Sequence, residues 1–259
     1  MTPSEGVPQE APARLDAQGR LASAADKLIV ALDFPDAAQA LALVDRLDGR
    51  CRWFKVGLEL YLSAGNSVVL TLKKRGFSVF LDLKLHDIPN TVAGAVRSVA
   101  GLGADLLTVH ASGGPAMLAA AAEAASGLPA APRLLAVTVL TGMDAAQLAA
   151  TGISASPAEQ ALRLAQIAHD SGIQGLVCSP EEAAQMRRAL PGSLLVTPGV
   201  RPAGASIGDQ KRVATPAAAL AAGADYLVVG RPIAQADDPL AAAEAVLREL
   251  QRSIESTRC

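Results

Sequence analysis

Eight times between Lys27 and Leu250, a short β-branched or Leu-rich run gives way to a longer, Ala-rich stretch of helical character. Such alternation is the pattern of βα units around a parallel sheet, because parallel neighbours need a crossover and a helix is the usual one. The runs fall at residues 28–32 (LIVAL), 53–56 (WFKV), 78–83 (SVFLDL), 105–109 (DLLTV), 134–139 (LLAVTV), 175–178 (GLVC), 194–197 (LLVT) and 226–229 (YLVV). Helix ends are legible as well. Asp36 precedes AAQALALVDRL with Gly49 beyond it, Thr215-Pro216 opens AAALAA before Gly223, and a last helix is expected over residues 239–250. Eight such units predict an α/β chain closed as a single (β/α)8 TIM barrel, for which 259 residues is an ordinary length. An open dinucleotide-binding sheet would want G-x-G-x-x-G after its first strand, and Asp33-Phe34-Pro35 stands there instead.

Composition narrows the function classes. Apolar residues make up 51% of the chain and charged ones 19%, so there is enough to bury for a globular core. Lys and Arg number 23 against 25 Asp and Glu, which lacks the basic excess of a nucleic-acid binder. Three cysteines, Cys51, Cys178 and Cys259, lie far apart without a C-x-x-C pair, a usage that fits a reducing cytoplasm rather than a disulfide framework or a zinc knuckle. No run approaches the ~18 apolar residues of a membrane span. The first 25 residues hold no apolar stretch and read as a loose N-terminal leader, leaving residues 26–259 for the barrel.

Barrel enzymes carry their chemistry at the C-terminal ends of the strands, so the polar residues there are the informative ones. In order they are Asp33, Lys55, Asp82 with Lys84 and Asp87, His110, Thr138 with Thr141, Arg201 and Arg231. The densest group lies in LDLKLHDIPNT (residues 81–91). Asp82 and Lys84 are two apart, so a regular strand would project both from one face into the barrel mouth, with Asp87 following in the loop. The spacing D-x-K-x-x-D says little by itself, and a solvated charge run is the plain alternative; the apolar residues around it point to a buried strand, where charges need partners. Lys55, one strand earlier at the same level, completes an alternating Lys/Asp/Lys/Asp array. Two carboxylates would keep Lys84 an ammonium, a proton donor suited to a carbanion. A Schiff-base lysine would have to be neutral, and a metal would compete with an ammonium for each carboxylate, so the array offers neither a Schiff base nor a clean metal site.

A second constellation joins Arg201 in PGVRP to Gly230-Arg231 in VGRP, after the seventh and eighth strands, where barrels often bind phosphate. Glycine permits close backbone approach and arginine forks onto two oxygens, which implies a phosphorylated small molecule. The segment 198–214 between them is long for a loop and reads as a lid. His110 is either a ligand or a histidine satisfied by neighbours. His86 and His169 read as structural, and Cys178 as a small buried apolar residue.

Taken in order, ALDFPD (31–36), FKVGLELY (54–61), FLDLKLHDIPNTV (80–92), TVHASGG (108–114), AVTVLTG (136–142), TPGVRP (197–202), GDQKR (208–212) and YLVVGRPI (226–233) resemble the orotidine 5'-phosphate decarboxylases over residues 27 to about 250. The resemblance implies conversion of orotidine 5'-monophosphate to UMP and CO2 in pyrimidine biosynthesis, without metal or organic cofactor, by a homodimer. It implies that Lys84 protonates C6 and that Lys55, Asp82 and Asp87 complete the charged array. Asp87 and Thr91 would come from across the dimer. Asp33 and Lys55 would hold the ribose hydroxyls, Thr141 would lie near the pyrimidine, and Arg201, Gln210, Gly230 and Arg231 would bind phosphate. The chain departs from that pattern at Gly142, where the family commonly has Ser, so a base contact is in question. Two other readings keep the barrel: related barrels with D-x-K-x-x-D act on sugar phosphates with Mg²⁺, and a non-catalytic nucleotide-binding barrel would keep only the phosphate loops.

Overall fold

A computed structural model describes residues 23–202 and 212–258. Its eight strands are β1 (Leu28–Ala31), β2 (Trp53–Gly57), β3 (Ser78–Leu85), β4 (Leu106–His110), β5 (Arg133–Val137), β6 (Gly175–Val177), β7 (Leu194–Thr197) and β8 (Tyr226–Val229). All pair in parallel in sequence order, and β8 returns to β1 through Leu28↔Leu227, Ile29↔Val228 and Val30↔Val229, so the sheet closes as the sequence predicts. Residues 1–22 of the expected leader lie outside the described residues. Ser23 already caps a helical turn, Ala24–Lys27, by accepting the Asp26 N–H.

Strand alternation divides the core in two. Leu28, Val30 and Leu32 face the surrounding helices, whereas Ile29 and Ala31 face the lumen with Trp53, Phe80, Leu106, Leu135, Val196, Tyr226 and Val228. Trp53 and Tyr226 meet edge to face at 5.0 Å between ring centres, so the lumen is plugged by side chains rather than open. The next inward positions up each strand are polar: Asp33 above Ala31, Lys55 above Trp53, Asp82 above Phe80 and Thr108 above Leu106. A period of two therefore delivers an apolar floor and a charged rim from the same strands.

The helices begin where local chemistry says they should. Asp36 Oδ1 accepts the Gln39 N–H at 2.9 Å ahead of the helix Ala37–Arg46, and Thr215 Oγ1 accepts the Ala218 N–H at 3.2 Å ahead of Pro216–Ala221. The last helix, Pro239–Arg258, outruns the expected 239–250. Four strands end one residue from expectation, and β3 and β5 end two residues from it. β5 stops at Val137 rather than residue 139, because Thr138 turns both its N–H and its hydroxyl onto the Val177 carbonyl, and the carbonyls of Val139 and Leu140 then receive Arg212. β3 runs to Leu85 rather than residue 83, and between Leu81 and Leu85 its pairing with β4 slips.

Candidate active site

The slip in β3 shapes the site. Leu81 pairs with Leu107 and Leu85 with Val109, so four residues of β3 span two of β4, and the surplus is taken up around Lys84. Lys84 adopts φ +50°, a left-handed conformation that costs a non-glycine residue roughly 1–2 kcal/mol. Its ammonium lies 2.8 Å from Asp82 Oδ1. The two side chains do reach one pocket, but through a bulge rather than through the regular alternation read from the sequence.

That pocket is a cavity of ≈ 540 Å³ at the C-terminal mouth of the barrel. Asp33, Lys55, Asp82 and Lys84 form one wall. Lys55, nearly buried, sits between two carboxylates, 2.8 Å from Asp33 Oδ1 and 3.6 Å from Asp82 Oδ2. Within one chain the array thus reads Asp33, Lys55, Asp82, Lys84. Burial alone would raise the Asp82 carboxyl; the charges of Lys55 and Lys84, with hydrogen bonds from Lys84 and Thr108, outweigh it and hold the group below its ordinary value. Asp82 is an anion across the neutral range, and the two ammonium groups beside it are its counter-charges.

Thr141, Gly142, Arg201, Gly230 and Arg231 line the same cavity. Arg201 is buried with Nη1 on the Val200 carbonyl at 2.9 Å, and Arg231 opens the short helix Arg231–Ala234 directly after Gly230. Both guanidinium-bearing residues therefore border the cavity that Lys84 borders. Asp87 and Thr91 do not line it: both are exposed around the start of the helix Pro89–Ala100, and Asp87 Oδ1 accepts the neighbouring Ile88 N–H at 2.6 Å. Asp87, the second carboxylate expected beside Lys84, is thus not brought to the cavity of its own chain. Gln210 and most of the expected lid lie outside the described residues. At the loop's base Val200 bridges Ala214, and the Arg201 N–H donates to the Ala214 carbonyl at 2.9 Å.

His110 stacks on His86 at 5.3 Å and its Nδ1 is engaged by Ser112, so neighbours satisfy it; burial first, then His86 and Lys84, hold it below its ordinary value. Cys178 is buried at the cavity wall, and burial pushes its thiol up to about 12, which leaves it inert as a nucleophile.

Three contributors escaped the sequence reading. Thr108 is fully buried, and its hydroxyl accepts the Lys84 N–H at 2.8 Å and donates to Asp82 Oδ1 at 3.1 Å. Gly57 leaves the space that Lys55 and Asp33 fill, since a Cβ there would lie 2.8 Å from Lys55 Nζ and 3.2 Å from Asp33 Oδ1. Arg212 pairs with buried Glu182 while donating to the carbonyls of Val139 and Leu140, which ties the end of the long loop to the segment that carries Thr141. Inward alternation along Leu106, Thr108 and His110 was the available signal for Thr108; the other two needed contacts between distant segments.

Comparison with known proteins gives the family. The family described as orotidine 5'-phosphate decarboxylase / HUMPS matches residues 26–246. Curated relatives named orotidine 5'-phosphate decarboxylase include one from Halorhodospira halophila, 58% identical over 225 residues that cover 86% of this chain and 95% of that protein. Another, from Pseudomonas aeruginosa, is 51% identical and covers 86% and 97%. Among solved structures, a crystal structure of orotidine 5'-phosphate decarboxylase from Lactobacillus acidophilus superposes with a TM-score of 0.77 at 40% identity, covering 87% of this chain and 99% of that one.

Proposed function

The chain belongs to the orotidine 5'-phosphate decarboxylase / HUMPS family, and from that premise we propose that it converts orotidine 5'-monophosphate to UMP and CO2, with Lys84 as the proton donor. The observation that carries the reading is the Lys84 ammonium, fixed 2.8 Å from Asp82 in a cavity that Arg201 and Arg231 also border. Lys55 separates this reading from metal-dependent sugar-phosphate chemistry. Its ammonium stands between Asp33 and Asp82, so those carboxylates already have a cation between them.

In this reading the substrate's phosphate lies against Arg201, Gly230 and Arg231, with Gln210 as a further ligand from the loop. Asp33 and Lys55 take the ribose hydroxyls, and Thr141 borders the pyrimidine. The C6–carboxylate bond breaks heterolytically, CO2 departs, and the electron pair stays on C6 in the ring plane, where no π system accepts it. Lys84 then gives C6 a proton and regains one from solvent. Lowering such a barrier calls for positioned charge and for binding energy from remote groups, since accelerations at the upper end of the enzymatic range amount to roughly 23 kcal/mol. The phosphate contacts supply binding away from C6.

A homodimer is part of the proposal, with Asp87 and Thr91 reaching the partner's cavity. Its support is their exposure next to Ile88, an aliphatic side chain 67% exposed. Among the described residues no helix is long and apolar enough to cross a membrane, and two free, buried cysteines, Cys51 and Cys178, suit a cytoplasmic protein.

The test is to follow the loss of orotidylate absorbance and the release of CO2 with the purified protein, with and without EDTA. The expected result is one CO2 per UMP at a rate that chelation does not change. Absence of turnover, or its abolition by EDTA, would overturn the assignment.

A further inference from the structure

We infer that Thr108 is a positioning residue for Lys84, acting through its hydroxyl on both the backbone and the counter-ion of the proposed proton donor. Where β3 slips against β4, Lys84 falls between the paired positions Leu81 and Leu85, at a point where a regular ladder would offer its N–H a backbone carbonyl. Thr108 stands in the gap between the paired residues Leu107 and Val109, and its Oγ1 takes the Lys84 N–H at 2.8 Å in place of that carbonyl. A hydroxyl that accepts from an N–H still has its own proton to give. Thr108 gives it to Asp82 Oδ1 at 3.1 Å, the same oxygen that holds the Lys84 ammonium at 2.8 Å.

One side chain therefore fixes three things: the left-handed backbone of Lys84, the orientation of the Asp82 carboxylate, and, through it, the Lys84 nitrogen. A left-handed lysine persists only where its surroundings over-determine it, and the hydroxyl of Thr108 is the contact that does so from the neighbouring strand. Its burial, with 0% exposure, keeps water from taking its place. Thr108 is not among the residues that line the cavity, so its effect should fall on turnover rather than on substrate affinity.

The experiment compares Thr108→Val, which keeps the branched shape and loses the hydroxyl, with Thr108→Ser, which keeps the hydroxyl. This inference rests on the decarboxylase reading for its kinetic arm. The expected result is a fall in kcat of about 10- to 100-fold in the Val variant, the scale of a displaced catalytic group, with KM within about threefold of the parent and kcat largely recovered in the Ser variant. Val turnover within about twofold of the parent, or a Ser variant as impaired as Val, would overturn the role. A crystal structure of Thr108→Val tests the geometry without any assay. Loss of the positive φ at Lys84 or of its contact with Asp82 supports the inference even if the parent protein fails to decarboxylate orotidylate, and an unchanged Lys84 overturns it.

Discussion

A Cβ atom on Gly57 would lie 2.8 Å from the Lys55 ammonium nitrogen, so the missing side chain of one residue is what lets the other reach Asp33. The obstructed atom is the free end of a flexible chain, which can move without disturbing the barrel wall. Gly57→Ala should therefore leave thermal stability within about 1 kcal/mol of the parent while lowering kcat/KM at least about tenfold, as a misplaced charge in a preorganised site would. Steady-state kinetics beside a thermal melt checks this; full activity would mean that Lys55 has slack.

Lys84→Ala removes the only ammonium in direct hydrogen-bond contact with Asp82 among the described residues. CO2 release should become undetectable, while UMP binding, which draws on the phosphate contacts, stays measurable by calorimetry. Near-normal turnover would exclude Lys84 as the donor.

Arg231→Ala removes a charged fork from the cavity that Lys84 lines. A hydrogen bond to a charged group contributes about 1.5–3 kcal/mol, so kcat/KM should fall roughly 10- to 150-fold. Orotidine without its phosphate should suffer in the chemical step as well as in binding, because remote contacts that act in the transition state raise kcat. Saturating orotidine turned over at the nucleotide's kcat would contradict that.

Acid should act on the site through Asp82. Its folded carboxyl lies below the ordinary 3.8, so the stability it contributes is present above that value and is lost as the pH falls through the lower, folded one. Urea unfolding of the parent and of Asp82→Asn from pH 3 to pH 7 should give a free-energy difference that is flat above about pH 5 and shifts toward the acid end. A difference that instead changes between pH 5 and pH 7 would mean that Asp82 titrates in the neutral range.

Glu182 and Arg212 form a buried pair that lies away from the reacting groups, and Glu182 also accepts the Ser179 N–H at 3.0 Å. Removing one partner of a buried pair leaves the other charge uncompensated at a cost of about 3–5 kcal/mol. Glu182→Ala should lose stability on that scale in urea titration, and Glu182→Gln, which keeps an acceptor, clearly less. A loss under about 1 kcal/mol in the Ala variant would mean that Arg212 has other compensation.

The strands and helix starts were legible in the sequence because they depend on local features: a period of two along each strand, β-branched runs, and caps such as Asp36 and Thr215 that bond a backbone N–H three residues on. The same locality placed Asp33, Lys55 and Asp82 at strand ends, since alternation carries a side chain to one face whatever the neighbouring strand contributes. Only the folded barrel decided which of these charges meet. Lys55 takes Asp33 and Asp82 as its partners and Asp87 stays on the surface, because pairing across the barrel follows the lateral register of separate strands rather than the order of residues along one. The bulge after Leu81 breaks the period that sequence reasoning relies on, and the hydroxyl of Thr108, 24 residues from Lys84, fills the gap it opens. The residue types at the strand ends were local properties of the chain; the contacts of Lys55 with Asp33 and Asp82, and of Thr108 with Lys84, arose only when pairing of separate strands brought distant segments within reach.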